Sequence, residues 1–274
     1  MISKKWDQRI ERARELARQY PFATEALRFY ENVASFQKSL YEELAAGNGS
    51  AKKARPPGSL RDELELFSLL PWFGSFLAFV EDVAPAPLAS TATELKSAGS
   101  PRWELALDEF WRSDAEDLAL SGTLSLHEAH LAWVFLQPYA EHLADSTRPE
   151  EIHGTPSLCP LCYGKPQAGV LRPLGDGAKR SLICSLCATE WEYRRLVCPA
   201  CGEEDVNKLP VYVAEEITHV RVEACDTCRH YIKTIDLTKT GHAVPVVDEL
   251  AAIPLSLWAE ENRYEKVSAN LVGI

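Results

Sequence analysis

Residues 182–202 read LICSLCATEWEYRRLVCPACG, and they contain two Cys-x-x-Cys pairs, Cys184/Cys187 and Cys198/Cys201. A third pair precedes them as CPLC at 159–162, and a fourth follows as CDTC at 225–228. Two thiolates at this spacing can face one cation across a tight turn, and two such turns complete a tetrahedral four-sulfur shell. The eight cysteines of the chain all lie in these pairs. The sequence therefore predicts two metal sites, with the ligands Cys159, Cys162, Cys184, Cys187, Cys198, Cys201, Cys225 and Cys228.

The first and third cysteine pairs resemble each other, and this resemblance indicates which pairs share a metal site. The first and third read Cys-Pro-x-Cys, and the gaps after them are 21 and 23 residues, whereas 10 residues separate the second pair from the third. Matched gaps favour a serial arrangement, in which the first two pairs form site one and the last two form site two. A nested arrangement, in which the two middle pairs share one metal, stays open as the alternative.

Short β-strands are predicted between these turns. Residues 211–213 and 220–223 alternate with a period of two, and residues 175–177 (Gly-Asp-Gly) suit a hairpin turn. Gly164 and Gly202, just after two of the pairs, are expected to allow a positive φ. Each unit is too small to build its own core, so bound metal is expected to supply folding free energy, on the order of 10 kcal/mol per site.

Two other uses of paired cysteines are less well supported. A disulfide-rich secreted domain is normally short and preceded by a signal peptide, whereas this chain begins with a charged amphipathic segment, and we expect no leader. A dithiol redox relay needs an exposed thiol of low pKa, which four turn-like pairs do not indicate. A four-sulfur shell suits zinc or a single iron, and spacing does not distinguish them.

The net charge of −11 argues against nucleic-acid binding, because phosphate contacts need a basic face. Two filled four-thiolate sites would make it about −15. Five basic residues near the cysteines are expected to offset part of this charge, although at least half of them are expected on a solvated strand face. These residues are Arg172, Lys179, Arg180, Arg194 and Arg195.

The chain before residue 150 is predicted to be helical, from apolar residues that recur at helical spacing. The predicted segments are 6–17, 25–45, 60–83, 103–118 and 126–143. Pro71 and Gly74 are expected to interrupt the third segment, and Pro138 to kink or end the last. A further helix is predicted over 247–264 despite Pro254.

The stretch 64–83 is the most apolar, but its proline, glycine and acidic residues argue against a membrane span. Trp72 and Phe73 are expected to fill the helical core, with an exposed anchor for a partner as the alternative.

Catalytic patterns are not apparent. His127 and His130 do not form His-Glu-x-x-His, and no phosphate loop, nucleophile elbow or dinucleotide fingerprint occurs. Eight sulfurs already complete two shells, so His153, His219 and His230 are not needed as ligands. A catalytic zinc keeps one position open for water, whereas both predicted sites are closed.

Three blocks of sequence carry a resemblance to a known family. They are LICSLCATEW at 182–191, RRLVCPACG at 194–202 and EACDTCRHYIK at 223–233, supported by DELA at 248–251. Together they resemble the formate dehydrogenase accessory proteins of the FdhE family, and the strong motifs cover roughly residues 156–270. Arg229 stands where the family often has glycine after the second cysteine.

The resemblance implies an α+β fold, with an N-terminal all-α domain, two tandem rubredoxin-like or zinc-ribbon-like four-cysteine modules and a C-terminal helix. We place the helical domain at 1–152, the modules at 153–192 and 193–246, and the C-terminal helix and tail at 247–274. It also implies that the eight cysteines hold two metal ions, with iron favoured and zinc as the alternative.

The implied function is a cytoplasmic, non-enzymatic maturation factor that binds the immature catalytic subunit of formate dehydrogenase during assembly. The alternative is a rubredoxin-like electron carrier or a redox-sensing metal protein. No nucleic-acid partner and no membrane insertion are expected. The oligomeric state stays open, with a homodimer as one candidate.

Overall fold

A computed structural model describes residues 3–47, 53–56, 58–113, 122–149, 154–271 and 273. The α+β class is confirmed: a helical N-terminal region is followed by a sheet region that carries the cysteines. The chain forms two compact units, one of residues 1–34 with 151–274 and the other of residues 35–150. The domain boundaries predicted from the sequence stay predictions, and this division adds the first helix to the cysteine-rich part.

The helices and strands follow in chain order. The helices are α1 (Ser3–Gln19), α2 (Thr24–Gly47), α3 (Leu66–Val83), α4 (Ala86–Ala98), α5 (Ser100–Arg112), α6 (Leu126–Asp145), α7 (Pro245–Ala251) and α8 (Ile253–Glu261). Short 3-10 helices cover Pro21–Ala23, Ser59–Asp62, Val206–Lys208 and Glu215–Ile217. The strands are β1 (Lys53–Arg55), β2 (Thr147–Pro149), β3 (Pro166–Leu174), β4 (Gly177–Cys184), β5 (Glu190–Glu192), β6 (Val211–Val213), β7 (Val220–Ala224), β8 (His230–Asp236) and β9 (Glu265–Lys266).

The unit of residues 35–150 is helical, with β1 and β2 paired in parallel. An aromatic cluster forms its core. Phe73 and Phe76 of α3 lie 4.9 and 5.5 Å, between ring centroids, from Phe135 of α6. Phe73 is fully buried, as predicted, and Trp72 packs edge-on against Phe36. The predicted helix over 103–118 is observed as α5 to Arg112, and residues 114–118 lie outside the described residues.

The prediction that Pro71 and Gly74 interrupt the third helix is wrong, because α3 continues through both. Pro71 lies near the start of α3, where its missing N–H removes only the hydrogen bond to the carbonyl of Phe67. Gly74 serves packing: a Cβ there would lie 3.0 Å from the ring of Trp103. α3 is long and apolar enough to cross a membrane, but core helices of globular proteins meet the same criterion. The buried side chains of α3 pack in the aromatic cluster.

Pro138 does not end α6, which continues to Asp145. A proline at this position leaves the carbonyl of Val134 without its helical N–H partner. The side-chain amide of Gln37, itself buried, donates a hydrogen bond of 2.6 Å to that carbonyl. The buried carbonyl is therefore satisfied from a neighbouring helix, and α6 tolerates the proline.

The unit of residues 1–34 and 151–274 contains one seven-stranded sheet in the order β5-β4-β3-β8-β7-β6, with β9 beside β8. β3 and β4 form the predicted hairpin, which turns at Gly175-Asp176. β6, β7 and β8 form an antiparallel meander, so the short strands predicted over 211–213 and 220–223 are confirmed.

Parallel pairing of β3 with β8 joins the two modules into that single sheet. At this junction Gly169 is opposite Thr234, and a Cβ on Gly169 would lie 2.3 Å from Thr234 Oγ1. Glycine is therefore required for the two strands to approach each other here.

The C-terminal region contains two helices where the sequence predicted one. α7 ends at Ala251 and α8 begins at Ile253, with Pro254 in its first turn. Proline has no N–H to continue the first helix but suits the start of a second, so the chain turns between them. Trp258 of α8 then packs against Tyr212 of β6, with ring centroids 4.2 Å apart.

Candidate metal centres

The four Cys-x-x-Cys turns share one backbone hydrogen bond. In each, the N–H of the first cysteine donates to the carbonyl five residues later, across 2.9 to 3.0 Å. The donor and acceptor residues are Cys159 and Gly164, Cys184 and Thr189, Cys198 and Glu203, and Cys225 and His230. The sequence therefore folds into the same local turn four times, which explains why the spacing alone could predict it.

The residue after the second cysteine adopts a left-handed backbone conformation in every turn. These residues are Tyr163 (φ 56°), Ala188 (φ 53°), Gly202 (φ 77°) and Arg229 (φ 61°). The expectation of a positive φ is confirmed for Gly202. It is wrong for Gly164, because Tyr163 takes the left-handed position instead.

Gly164 is needed for a different reason. A Cβ at this position would lie 3.0 Å from the Sγ of Cys184 and 3.2 Å from that of Cys162. Glycine thus lets the backbone lie directly against two sulfurs, and its own N–H points at Cys162 Sγ at 3.4 Å.

Site one gathers the sulfurs of Cys159, Cys162, Cys184 and Cys187 within 4.8 Å of one another. Cys159 lies 3.5 Å from Cys187, and Cys162 lies 3.4 Å from Cys184, both between Sγ atoms. All four cysteines are buried.

Site two gathers the sulfurs of Cys198, Cys201, Cys225 and Cys228 under the same limit. The Sγ–Sγ distances are 3.7 Å for Cys198 with Cys228 and 3.7 Å for Cys201 with Cys225. This grouping is the serial one. Cys201 is exposed and Cys228 partly so, in contrast with site one.

The sulfur geometry fits a metal ion. A tetrahedral shell with metal–sulfur bonds of about 2.3 Å has sulfur–sulfur edges of about 3.8 Å, close to the distances in both groups. All eight cysteines are free of disulfide bonds. Burial raises the pKa of the Cys184 and Cys187 thiols well above the usual value. A cation that replaced those protons would neutralise sulfur charge that burial otherwise disfavours.

Four of the five basic residues near the cysteines pair with carboxylates, and the fifth, Arg195, is exposed. The ion pairs are Arg172 with Glu190, Lys179 with Glu192, Arg194 with Glu204, and Arg180 with Glu223. Arg180 is buried and also donates to the carbonyl of Arg194, so it connects β4 with the start of the second module. The expectation of a solvated face thus holds for the exposed residues of this set but not for Arg180.

The histidines are not part of either sulfur group among the described residues, where both groups consist of cysteines alone. His219 Nε2 lies 2.8 Å from a carboxylate oxygen of Asp248. His230 Nδ1 lies 3.0 Å from the carbonyl of Cys228, beside site two. His153 lies outside the described residues.

Sequence reasoning missed a buried ionic network on α7. Asp248 binds Arg12 and His219. Glu249, the next residue, is also buried and binds Lys233 of β8 and Lys266 of β9. The signal available in the sequence was this pair of adjacent acidic residues, flanked by apolar residues on a short helix.

Comparisons with known proteins agree with this arrangement. The family model described as "FdhE, central domain" matches residues 158–195, which include site one. The model described as "FdhE, C-terminal domain" matches residues 196–272, which include site two.

Several known proteins are similar to this chain in sequence. A "Protein FdhE homolog" of Pseudomonas aeruginosa is 31% identical over 219 residues, which are 74% of this chain and 66% of that protein. A "Protein FdhE homolog" of Aquifex aeolicus is 36% identical over 141 residues, 51% of this chain and 50% of that one. "Protein FdhE" of Escherichia coli is 25% identical over 97% of this chain and 86% of its own. The chain thus spans about half to two thirds of the length of the first two relatives.

A solved structure extends the similarity over almost the whole chain. The crystal structure of the FdhE protein from Pseudomonas aeruginosa superposes with a TM-score of 0.73 at 26% identity, covering 98% of this chain and 96% of that one. The two family models, the relatives and this superposition all point to one family, and the chain belongs to the FdhE family.

Proposed function

We propose that this chain is a non-enzymatic accessory factor, which binds the immature catalytic subunit of formate dehydrogenase in the cytoplasm while that subunit is assembled. The observation that carries the proposal is the pair of four-cysteine groups within a chain of the FdhE family. The formate dehydrogenase partner rests on the resemblance of the sequence blocks around these cysteines.

The eight cysteines are proposed to hold two metal ions, one in each group. Four sulfurs fill a tetrahedral shell and leave no position for a substrate or an activated water, which is typical of structural rather than catalytic sites. Iron is favoured by the family resemblance, and zinc fits the same donors. On this proposal the metals stabilise the sheet region that presents the binding surface.

A redox role is the second candidate, and one observation favours it. Backbone N–H groups point at sulfur in both sites, from Gly164 to Cys162 and from Ala200 to Cys198, each at 3.4 Å. Hydrogen bonds to sulfur are one of the factors that set the reduction potential of iron–sulfur sites. With iron bound, the chain would then serve as a rubredoxin-like electron carrier or a redox sensor.

The test is capture of a purified formate dehydrogenase catalytic subunit under anoxic conditions. The bait is prepared in two forms, one without its metal cofactor and one fully loaded, so that binding to the immature form can be distinguished. Stronger binding to the cofactor-free form supports the proposal. Absence of binding to either form, with both metal sites filled, would overturn it.

A matched control separates the metal region from the helical unit. Cys225→Ser removes a ligand of site two, whereas Arg112→Ala removes an exposed side chain of α5 that pairs with Asp108. We expect capture to fall for the first variant and to persist for the second.

A further inference from the structure

The two sulfur groups differ in their access to solvent. In site one the four cysteines are each at most 1% exposed. In site two Cys198 and Cys225 are buried, but Cys201 is exposed and Cys228 is partly exposed. An incoming ligand could therefore reach Cys201 and its side of the shell without any rearrangement of the chain.

The residues in the cysteine turns differ in solvent exposure in the same way. In site one Leu161 and Leu186, each between two cysteines, are buried, and Gly164 lies against two sulfurs. At the corresponding positions of site two Ala200 and Thr227 are exposed.

Gly202, next to Cys201, shows the same openness. A Cβ at Gly202 would meet no atom within 4 Å. The backbone beside Cys201 is thus open to solvent, like the side chain of Cys201 itself.

We propose that site two is the site where metal enters and leaves the protein, by ligand exchange at Cys201 with a thiolate-bearing metal carrier, whereas site one keeps its metal. This inference rests on the proposed binding of two metal ions. An incoming thiol forms a metal–sulfur bond as the bond to Cys201 Sγ breaks, and the proton that the thiol loses passes to the released Cys201 thiolate. Repetition at the other three cysteines transfers the ion, with no change of oxidation state.

Site one lacks such a path. Replacement of any of its cysteines by an incoming thiolate requires first that the buried turn open, which adds the free energy of local unfolding to the barrier. The two metals are therefore expected to exchange at different rates, although both have four sulfur ligands.

The test follows isotope exchange in the full chain. Protein loaded with two equivalents of natural zinc is mixed with a heavy zinc isotope, supplied as its 2-mercaptoethanol complex, and native mass spectrometry counts the labelled ions over time. We expect one ion to exchange at least about tenfold faster than the other, because exchange at site two begins at the exposed Cys201, whereas any exchange at site one first requires local opening. Equal rates for both ions would overturn the inference while leaving the proposed function in place.

Position is assigned by alkylation and by two variants. Brief treatment with N-ethylmaleimide, followed by peptide mapping, should modify Cys201 and Cys228 before any cysteine of site one. Cys201→Ser should leave one slowly exchanging ion, and Cys162→Ser one rapidly exchanging ion. Earlier modification of site one would overturn the inference, and so would a chain that holds no zinc, which would also remove the metal-binding part of the proposed function. The alkylation order in the unmodified chain decides the question if either variant fails to fold.

Discussion

Arg12 binds Asp248, a residue 236 positions away along the chain, through hydrogen bonds of 3.0 and 2.6 Å from its Nε and terminal nitrogen. Both side chains are buried, and Asp248 also accepts a hydrogen bond of 2.7 Å from the N–H of Val244. Helix α1 is thereby fixed to α7, which packs on β3 and β8 of the sheet. The cysteine-rich unit therefore depends on residues near the start of the chain.

Removal of one partner of this pair should destabilise the unit strongly. Arg12→Met leaves the Asp248 carboxylate buried without its main cation, which typically costs about 3–5 kcal/mol. The measurement is the unfolding free energy in urea, followed by fluorescence with metal bound. In a double-mutant cycle with Asp248→Asn, the second change should cost much less once the first is present.

Arg14 of the same helix provides the matched control. Its ion pair with Glu31 is half exposed, so Arg14→Met should cost less than about 1 kcal/mol. Equal effects of the Arg12 and Arg14 substitutions would show that the buried pair does not hold α1 in place.

Gly164→Ala should weaken site one selectively. The new Cβ would press on Cys184 and Cys162, so the turn must shift and the sulfurs must separate. We expect one of two metal equivalents to be lost in a competition with a chelator. Gly177→Ala is the control, because its Cβ would meet only the carbonyl of Leu174, at 3.8 Å. Retention of both metals by the Gly164 variant would contradict the packing described for this turn.

Arg229 combines a strained backbone with several favourable contacts. Its guanidinium binds Asp226 and the carbonyl of Asn262, and it lies 3.9 Å from the centre of the Tyr264 ring. Both Arg229→Gly and Arg229→Ala remove these contacts, but only glycine relieves the left-handed conformation. The glycine variant should therefore be more stable than the alanine variant by about 1 kcal/mol, as measured by thermal unfolding. The reverse order would argue against strain at this position.

Lys266 should make stability depend on pH in the alkaline range. Burial lowers the pKa of Lys266 from 10.5 to about 8 in the folded chain, with Lys233 acting in the same direction and Glu249 opposing it. Between these values the unfolded chain binds more protons, so the free energy of unfolding should rise with pH from about 8 to about 10.5.

Lys266→Met removes this contribution. The unfolding free energy of the wild type minus that of the variant should increase with pH across that interval and stay constant below it. Parallel profiles over the whole range would show that Lys266 is not perturbed by its burial beside Glu249.

The local structure around the cysteines could be predicted from the sequence because it depends on neighbouring residues. The spacing fixes each turn, and the period-two alternation fixes the strands beside it. The prediction of a left-handed backbone was wrong for Gly164, because Tyr163 takes that conformation and Gly164 instead lies against two sulfurs. The spacing of the cysteines does not reveal these contacts.

Features that depend on distant residues could not be predicted. Pro138 within α6 is tolerated because Gln37 satisfies the carbonyl of Val134, about a hundred positions away. The junction of β3 with β8 likewise depends on a contact of Gly169 with Thr234 across both modules. From the sequence alone, Pro138 indicates a helix break and Gly169 a weak strand. The structural role of each is visible only together with the distant residue that it depends on.

The metal content of the intact chain tests the central claim most directly. The protein is purified without oxygen, and native mass spectrometry is combined with quantification of reactive thiols. We predict two metal ions per chain, with all eight cysteines recovered as free thiols after the metal is removed. A chain that holds no metal, with its cysteines joined to one another as disulfides, would contradict the claim.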